Sequence, residues 1–467
     1  MAFLIGGANT ESAAYEIDNS VRLDDGSSCK LEFDTSGDGT ATKGTISLWV
    51  KRSSLDEMSN GSDALIYAVN DSENYSFLRF DDDDKLDFYN ITSNTLRQRF
   101  VTSRMFRDIT AWYHIVLAFD VSQASSSNGV KIYVNGVLQT DFGTSTYNQN
   151  EATNFFLANA NWKIGADVSD GSFFDGYLAN IEAITNQQLA ATAFGKFNTN
   201  GVWVPKATSH TAGTNGFKLE FKGTGTNADA SGIGADTSGN GNHFTFSNLA
   251  SADGDTCTDT PTNNFCTLNP IGGANSASKW VYSQGNCQVQ QNDDREWRAT
   301  GSTMAVSKGK WYWEIEFDAG SMTEIFVGVH DTSVSLEGVQ RWVAGSTLFY
   351  NHTGGEMRQD GTDTTADYGV LTAGDILGVA LNMDDDQITL YDNGSAIVTN
   401  FSLSSSITEA MPTFMADYDD VVYKVNFGNP PFSISSGNSD ANGYGNFEYT
   451  VPTNYYALCT KNLAEFG

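Results

Sequence analysis

Short β-type runs closed by turn residues recur along the whole chain, and they restrict it to layered sheets. Residues 111–120 (Ala-Trp-Tyr-His-Ile-Val-Leu-Ala-Phe-Asp) are apolar or aromatic at nearly every position. A strand this apolar on both faces belongs inside a stack, covered above and below. Residues 131–139 (Lys-Ile-Tyr-Val-Asn-Gly-Val-Leu-Gln) follow, and Asn135-Gly136 supplies the two positive φ angles of a tight hairpin turn. The same device returns at Asn393-Gly394, with Asp384-Asp385-Asp386 closing the turn just before it. Only 186–197, short and Ala-rich, reads as a helix, expected to cap the end of a sandwich.

These patterns predict an all-β protein of two antiparallel β-sandwich (jelly-roll) domains. The 467 residues suit two large β domains. Residues 1–20 show no sandwich strand, and 21–200 carry the first dense set. Residues 201–272 lose apolar periodicity and turn rich in Gly, Thr, Asn and Asp, which reads as an irregular connector with a few short strands. Dense β patterning resumes over 273–467. No heptad run, collagen-like repeat or β-helix period is present, so the expectation is a pair of beads and not a fibre shaft.

Charge narrows the partners. Acidic residues outnumber basic ones 57 to 26, a formal charge of −31, and such a field repels both a phosphate backbone and an anionic membrane surface. No nucleic acid is expected. No run of about 18 apolar residues occurs, so no membrane insertion is expected either. The start, Met-Ala-Phe-Leu-Ile-Gly-Gly, lacks the basic head and apolar stretch of a signal peptide, which points to synthesis in a cytoplasm. Five scattered cysteines, an odd number, argue for reduced thiols. The pairing of Cys257 with Cys266 is left open.

Three resemblances follow from these segments. Residues 45–52 (Thr-Ile-Ser-Leu-Trp-Val-Lys-Arg), the strand from Trp112 to Asp120, the Tyr133-Val134-Asn135-Gly136 hairpin, Ile164-Gly165 and 174–181 (Phe-Asp-Gly-Tyr-Leu-Ala-Asn-Ile) resemble the laminin-G-like, concanavalin-type jelly roll. Residues 310–317 (Lys-Trp-Tyr-Trp-Glu-Ile-Glu-Phe), Val327-Gly328-Val329, 374–381, 390–394, Met411-Pro412 and Val425-Asn426-Phe427-Gly428 resemble a SPRY domain; Asn382 departs from that family's usual Asp. Residues 101–108, 201–206, 236–242 and 260–270 resemble structural proteins of tailed bacteriophages, often marine, in which such modules are strung together. The last resemblance implies a virion component; residues 1–20, which show no sandwich strand, are then expected to dock it onto a capsid or tail.

Chemistry finds little footing in the residues. Glu314, Glu316 and Asp318 lie on one face of a strand, about 6.7 Å apart at alternate positions, near the spacing of glycosidase carboxylates. Their place in the SPRY-like half reads instead as an exposed face of an acidic protein. No nucleophile elbow, Walker loop, dinucleotide fingerprint or zinc spacing is present, so no catalytic residue is expected and the protein is read as non-enzymatic. Asp81, Asp82, Asp83 and Asp84 form an oxygen-rich loop that suits Ca²⁺, and some laminin-G-like domains carry calcium at a sandwich rim; the alternative is a solvated hairpin turn. Asp253, Asp255 and Asp259 are a weaker set of the same kind. Trp49, Trp112, Trp311, Trp313 and His114 read as packed strand residues. Trp162, Trp203, Trp297, Trp342 and Tyr350 lie at loops or segment ends, free to stack on a sugar or a partner chain.

The expected function is therefore a phage tail or head fibre protein, displaying lectin-like sandwiches for attachment to a host-surface glycan or protein, as a homo-oligomer with a trimer as first guess. The alternatives are a capsid or tail decoration protein that binds other virion proteins and, more remotely, a polysaccharide depolymerase.

Overall fold

The computed structural model describes residues 4–5, 15–37, 39, 41–55, 63–251, 254–271, 280–291, 297–320, 323–336, 344–352, 354–364, 366–417 and 420–467. Strand takes 46% of the chain and helix 4%, and nearly all strand pairs are antiparallel, so the fold is all-β as expected. The chain forms two compact units, one of residues 11–262 and one of residues 1–10 with 263–467.

The first unit stacks two sheets of eight strands. The front sheet runs Val137–Leu138, Val130–Val134, Tyr113–Asp120, Lys43–Arg52, Gly176–Thr185, Ser20–Leu23 and Thr256–Cys257, with Phe217–Leu219 also pairing on Gly176–Thr185. The back sheet runs Phe142–Tyr147, Thr95–Met105, Lys85–Thr92, Asn74–Phe80, Asp63–Asp71, Asn161–Ile164, Lys30–Asp34 and Thr245–Ser247. Alternate side chains of both, including Leu48, Ile115, Leu117, Leu78, Phe88 and Trp162, meet in one buried core. Asn135 and Gly136 take φ of 48° and 79°, the values that the hairpin requires.

All eight residues of Tyr113–Asp120 are buried, because a second apolar layer covers the outer face of the front sheet. Trp49, Trp112, Val116, Phe194 and Trp203 build it. His114 sits within this layer, stacked on Trp49 with ring centroids 4.6 Å apart. Trp203 Nε1–H donates to His114 Nδ1 at 3.0 Å, so the ring's proton lies on Nε2 and points to Ser47 Oγ at 2.9 Å. Both nitrogens are satisfied only in the neutral form.

The helix expected over 186–197 does not form. Thr45 Oγ1 accepts from the N–H of Leu189 and donates to the carbonyl of Gln187, which keeps the start of the stretch extended. A single 3₁₀ turn at Ala191–Ala193 and a strand at Gly195–Phe197 follow. The expected connector also proves to be largely part of the first sandwich. Phe217–Leu219, Thr245–Ser247 and Thr256–Cys257 pair with Gly176–Thr185, Lys30–Asp34 and Ser20–Leu23, so the boundary falls at 262 and not at 200. The irregularity has a local cause: side chains replace strand ladders. The Asp236 carboxylate accepts from the N–H groups of Lys218, Ser238 and Asn242. Within 1–20, Leu4–Ile5 pairs in parallel with Met304–Ala305.

The second unit is also a two-sheet sandwich. One sheet orders Trp280–Ser283, Gln288–Gln291, Val422–Asn426, Lys310–Ala319, Ile376–Asn382, Gln387–Asp392 and Ser395–Ser402, with Tyr456–Ala457 parallel to Lys310–Ala319. The other orders Arg298–Gly301, Ala410–Ala416, Ile325–Asp331, Ser346–Asn351, Glu356–Gln359 and Thr362–Asp363. Trp311, Trp313, Ile315 and Phe317 face the core, while Tyr312 faces a second cluster containing Phe447 and Val451. All five cysteines of the chain are buried, and none is in a disulfide.

His114 gives the first unit a specific acid sensitivity. Burial holds its pKa down from 6.5 to about 3. Between those values the unfolded chain binds a proton that the folded ring refuses, so this contribution to stability is complete above pH 6.5 and is lost as the pH falls. Denaturant melts should show the wild-type midpoint falling on acidification, and His114→Gln, less stable at neutral pH, should show a shallower fall. Equal slopes in the two proteins would contradict the assignment.

Candidate binding groove

The back sheet places an aromatic row on its outer face. Its antiparallel register aligns Lys163, Tyr67, Phe77, Tyr89 and Arg99 across five adjacent strands. Tyr67 and Phe77 stack with centroids 4.8 Å apart, and Phe77 and Tyr89 at 4.9 Å with planes 8° from parallel. That spacing is the distance between neighbouring strands, so cross-strand pairing itself sets the stack. Tyr75, two residues from Phe77, stands diagonally at 6.3 Å from Phe77 and 6.1 Å from Tyr89.

Charged groups frame the row. Arg99 forms a two-pronged pair with Asp87 at 3.2 and 3.0 Å, and Arg79 reaches the same carboxylate at 3.6 Å. The guanidinium of Arg79 lies 4.8 Å from the Phe77 ring centre, and that of Arg99 lies 5.6 Å from the Tyr89 ring centre. Burial pushes the Asp87 carboxyl up, against the pull of Arg99 and then Arg79. Burial also raises the Tyr67 hydroxyl, which keeps it protonated and able to donate. One wall is the loop after Asn161–Ile164. There, Asp167 accepts from the N–H groups of Ser169 and Gly171 at 2.8 and 2.9 Å and from Ser172 Oγ at 3.0 Å.

These residues line a groove of about 300 Å³ formed by Tyr67, Tyr75, Phe77, Arg79, Tyr89, Arg99, Asp167 and Val168. That volume is within the range of small-ligand sites. Tyr67 and Phe77 lie buried at its base, Tyr75 and Tyr89 are half-buried beside them, and its border carries hydroxyl, guanidinium and carboxylate groups. Such a mixture accepts an apolar ring face while satisfying the hydroxyls around it.

None of the sequence candidates among the described residues lines this groove. Trp162 is fully buried in the core, within Asn161–Ile164, and packs edge-on against Phe217 with centroids 5.0 Å apart. Tyr350 is 2% exposed within Ser346–Asn351, stacked on Phe326 at 4.2 Å, with its hydroxyl donating to Glu324. Trp342 and Asp253 lie outside the described residues. Trp203 is buried beside His114, and Trp297 packs on Phe326. Glu314, read as part of an exposed face, is buried. It accepts from the N–H groups of Glu448 and Tyr449 at 2.9 and 2.8 Å, and from Tyr312 and Asn426. Burial raises its carboxyl, and those donors offset part of the rise. Glu316 and Asp318 both face Lys424.

The four aspartates of the 81–84 turn do not converge. Asp81 folds back on the N–H groups of Asp83 and Lys85. Asp83 is exposed and pairs with Lys85. Asp84, at φ 61°, turns inward and is wholly buried. There its Oδ1 meets Arg52 at 2.7 Å and its Oδ2 meets Arg107 at 2.6 Å. Arg52 also pairs with Asp63 at 2.7 Å.

Both units match known domain families. Residues 24–193 match the family described as the concanavalin A-like lectin/glucanases superfamily (Laminin_G_3), and residues 310–430 match the SPRY domain. The chain therefore carries a concanavalin A-like domain followed by a SPRY domain. No curated protein sequence matches it. Among solved structures, the SPRY domain of human HERC1 shares 15% identity, covering 34% of this chain and 96% of that one, with a TM-score of 0.29. Domain 4 of AbnA, a GH43 extracellular arabinanase from Geobacillus stearothermophilus in complex with arabinotriose, shares 19%, covering 33% and 65%, with a TM-score of 0.25. A native heptameric SAP-like pentraxin from Limulus polyphemus shares 11%, covering 43% and 100%, with a TM-score of 0.29.

The different fates of neighbouring aspartates are measurable. Asp84→Ala strips Arg52 and Arg107 of a shared buried partner and should destabilise the first unit by about 3–5 kcal/mol. Asp83→Ala removes one exposed ion pair and should cost about 0–1 kcal/mol. Urea melts of the two variants would distinguish them, and similar losses would contradict the placement.

Proposed function

We propose that this protein is a non-enzymatic virion component of a tailed bacteriophage that attaches to the host surface by gripping a glycan in the groove of its first sandwich. The observation that carries this reading is the aromatic floor of Tyr67, Tyr75, Phe77 and Tyr89, bordered by Arg79, Arg99 and Asp167. It offers donors and acceptors to sugar hydroxyls around a surface suited to a ring face. The concanavalin A-like class of this domain agrees with a binding role. The virion setting rests on the phage-like segments 101–108, 201–206, 236–242 and 260–270. A homotrimer would multiply weak single contacts, since avidity gains of about 10²–10⁴ need no new contact.

A second reading, a decoration protein that binds other virion proteins, is favoured by a different feature of the first unit. Val137, Leu138, Phe197 and Val202 are exposed large apolar side chains in the segments that flank Trp203. An exposed apolar patch of that kind suits a protein partner.

Retention on immobilised host polysaccharide, followed by titration, tests the first reading. The wild-type protein should bind and should compete with phage for host cells. Tyr75→Ala and Tyr89→Ala, both at half-buried positions, should each weaken binding about tenfold or more, which is about 1.4 kcal/mol. Indifference to polysaccharide and to host cells would favour decoration, and release of reducing ends would favour depolymerase chemistry.

A further inference from the structure

A second cluster of polar groups lies at one end of the front sheet. Gly176 pairs with Leu23 on one side and with Arg52 on the other. Carrying that register one residue further sets Asp24 opposite Asp175, at the ends of adjacent strands. One carboxylate oxygen from each of Asp24, Asp25 and Asp175 lies within 4.8 Å of the other two. Oxygens that share one Ca²⁺ at about 2.3–2.6 Å are separated by up to about 5 Å.

The three residues differ in how they are held. Asp24 shapes its own turn, accepting from the N–H of Gly26 and from Ser27 Oγ, both at 3.1 Å. Asp25 is exposed. Asp175 is 4% exposed, yet its Oδ1 has no hydrogen-bond partner among the described residues. It cannot easily turn away. Its carbonyl accepts from Ser53 N–H at 3.1 Å, and Gly176 holds a φ of 148° so close to Lys51 that a Cβ there would meet its carbonyl oxygen at 2.3 Å.

A buried carboxylate with an open oxygen, set beside two further carboxylates, is costly unless a cation joins it. The nearby cations are engaged: Arg22 pairs with Asp255 at 3.4 Å, and Arg52 with Asp63 and Asp84. We infer that Asp24, Asp25 and Asp175 form a calcium site that clamps the turn after Ser20–Leu23 to the start of Gly176–Thr185. The set is all hard oxygen in a turn of irregular geometry, which suits Ca²⁺ better than the strict octahedron of Mg²⁺.

Thermal melts and calorimetric titration of the full chain with CaCl₂, after treatment with chelator, test the site. Calcium should bind one equivalent at these carboxylates. Above the dissociation constant, it should raise the melting temperature of the first unit by about 3–5 °C for each tenfold increase in concentration. Asp175→Asn should abolish the rise while keeping or increasing stability in chelator, because it removes a buried charge. Asp25→Asn, at an exposed position, should weaken binding without disturbing the fold. Three results would overturn the inference: no calcium response in the wild-type protein, a response that survives in both variants, or an equal response to Mg²⁺. The first of these would leave a protonated Asp175 as the explanation of the cluster. Glycan binding in the aromatic groove is read out separately, so failure of either proposal is distinguishable from failure of the other.

Discussion

Arg52 ties the two sheets of the first sandwich together. It belongs to the front sheet, and its guanidinium bonds Asp63 at the start of a back-sheet strand and Asp84 in a back-sheet hairpin turn. It also donates to the Phe106 carbonyl at 2.9 Å and lies 4.6 Å from the Phe80 ring centre. A charge with 1% exposure is tolerable only when such partners are all in place. The apolar core is non-directional and would accept small slips between the layers. The Arg52 network would not, since sliding either sheet strands a buried charge. Lys51, its neighbour on the opposite face, does the same for the outer layer through Asp259 at 2.9 Å, and Trp112 Nε1–H donates to that carboxylate as well.

With the layers fixed, the two outer faces of the sandwich have different fates. The front sheet's outer face is sealed by Phe194 and Trp203, which close over His114 and Trp49. The back sheet's outer face keeps a groove, where Tyr75 and Tyr89 are only half buried. The covering segment exists because residues 186–205 make only a single 3₁₀ turn and pair Gly195–Phe197 with Trp203–Pro205 instead of forming a longer helix.

Much of this was legible beforehand, and the limits have physical causes. The fully apolar strand at 111–120, the Asn-Gly hairpins and the alternation of Trp311, Trp313, Ile315 and Phe317 each specify local structure directly, and the two-sandwich plan followed from them. The groove was hidden by a simple ambiguity. In Asn74–Phe80 the inner positions (Leu78, Phe80) and the outer ones (Tyr75, Phe77) are equally apolar, so period-two alternation cannot say which face is exposed. Only the cross-strand register, which brings Tyr67, Phe77 and Tyr89 into one row, reveals a surface feature. Trp162 failed for the reverse reason, because a single large ring near a turn reads the same whether it points in or out. In the run at 81–84 four identical residues carry no signal to separate them, and the positive φ of Asp84 alone sends it inward. Asp24 and Asp175 are 151 positions apart, and only strand pairing makes them neighbours.

The electrostatics of the groove bear on the ligand as well. In a chain with 57 acidic and 26 basic residues, a cationic site for a polyanion would have to stand apart from its surroundings. The groove does not. Its two arginines share the buried Asp87, and Asp167 supplies a second negative charge at the border, so the four groups balance. Long-range attraction of a charged chain is therefore small, and the negative field of the rest of the molecule opposes it. If the groove takes a glycan, as proposed, discrimination would fall to the directions of its fixed hydroxyl and guanidinium donors against the hydroxyl pattern of a ring. On the function proposed above, such a groove would bind weakly at each site and with little dependence on salt, the regime in which repeated copies gain most from acting together.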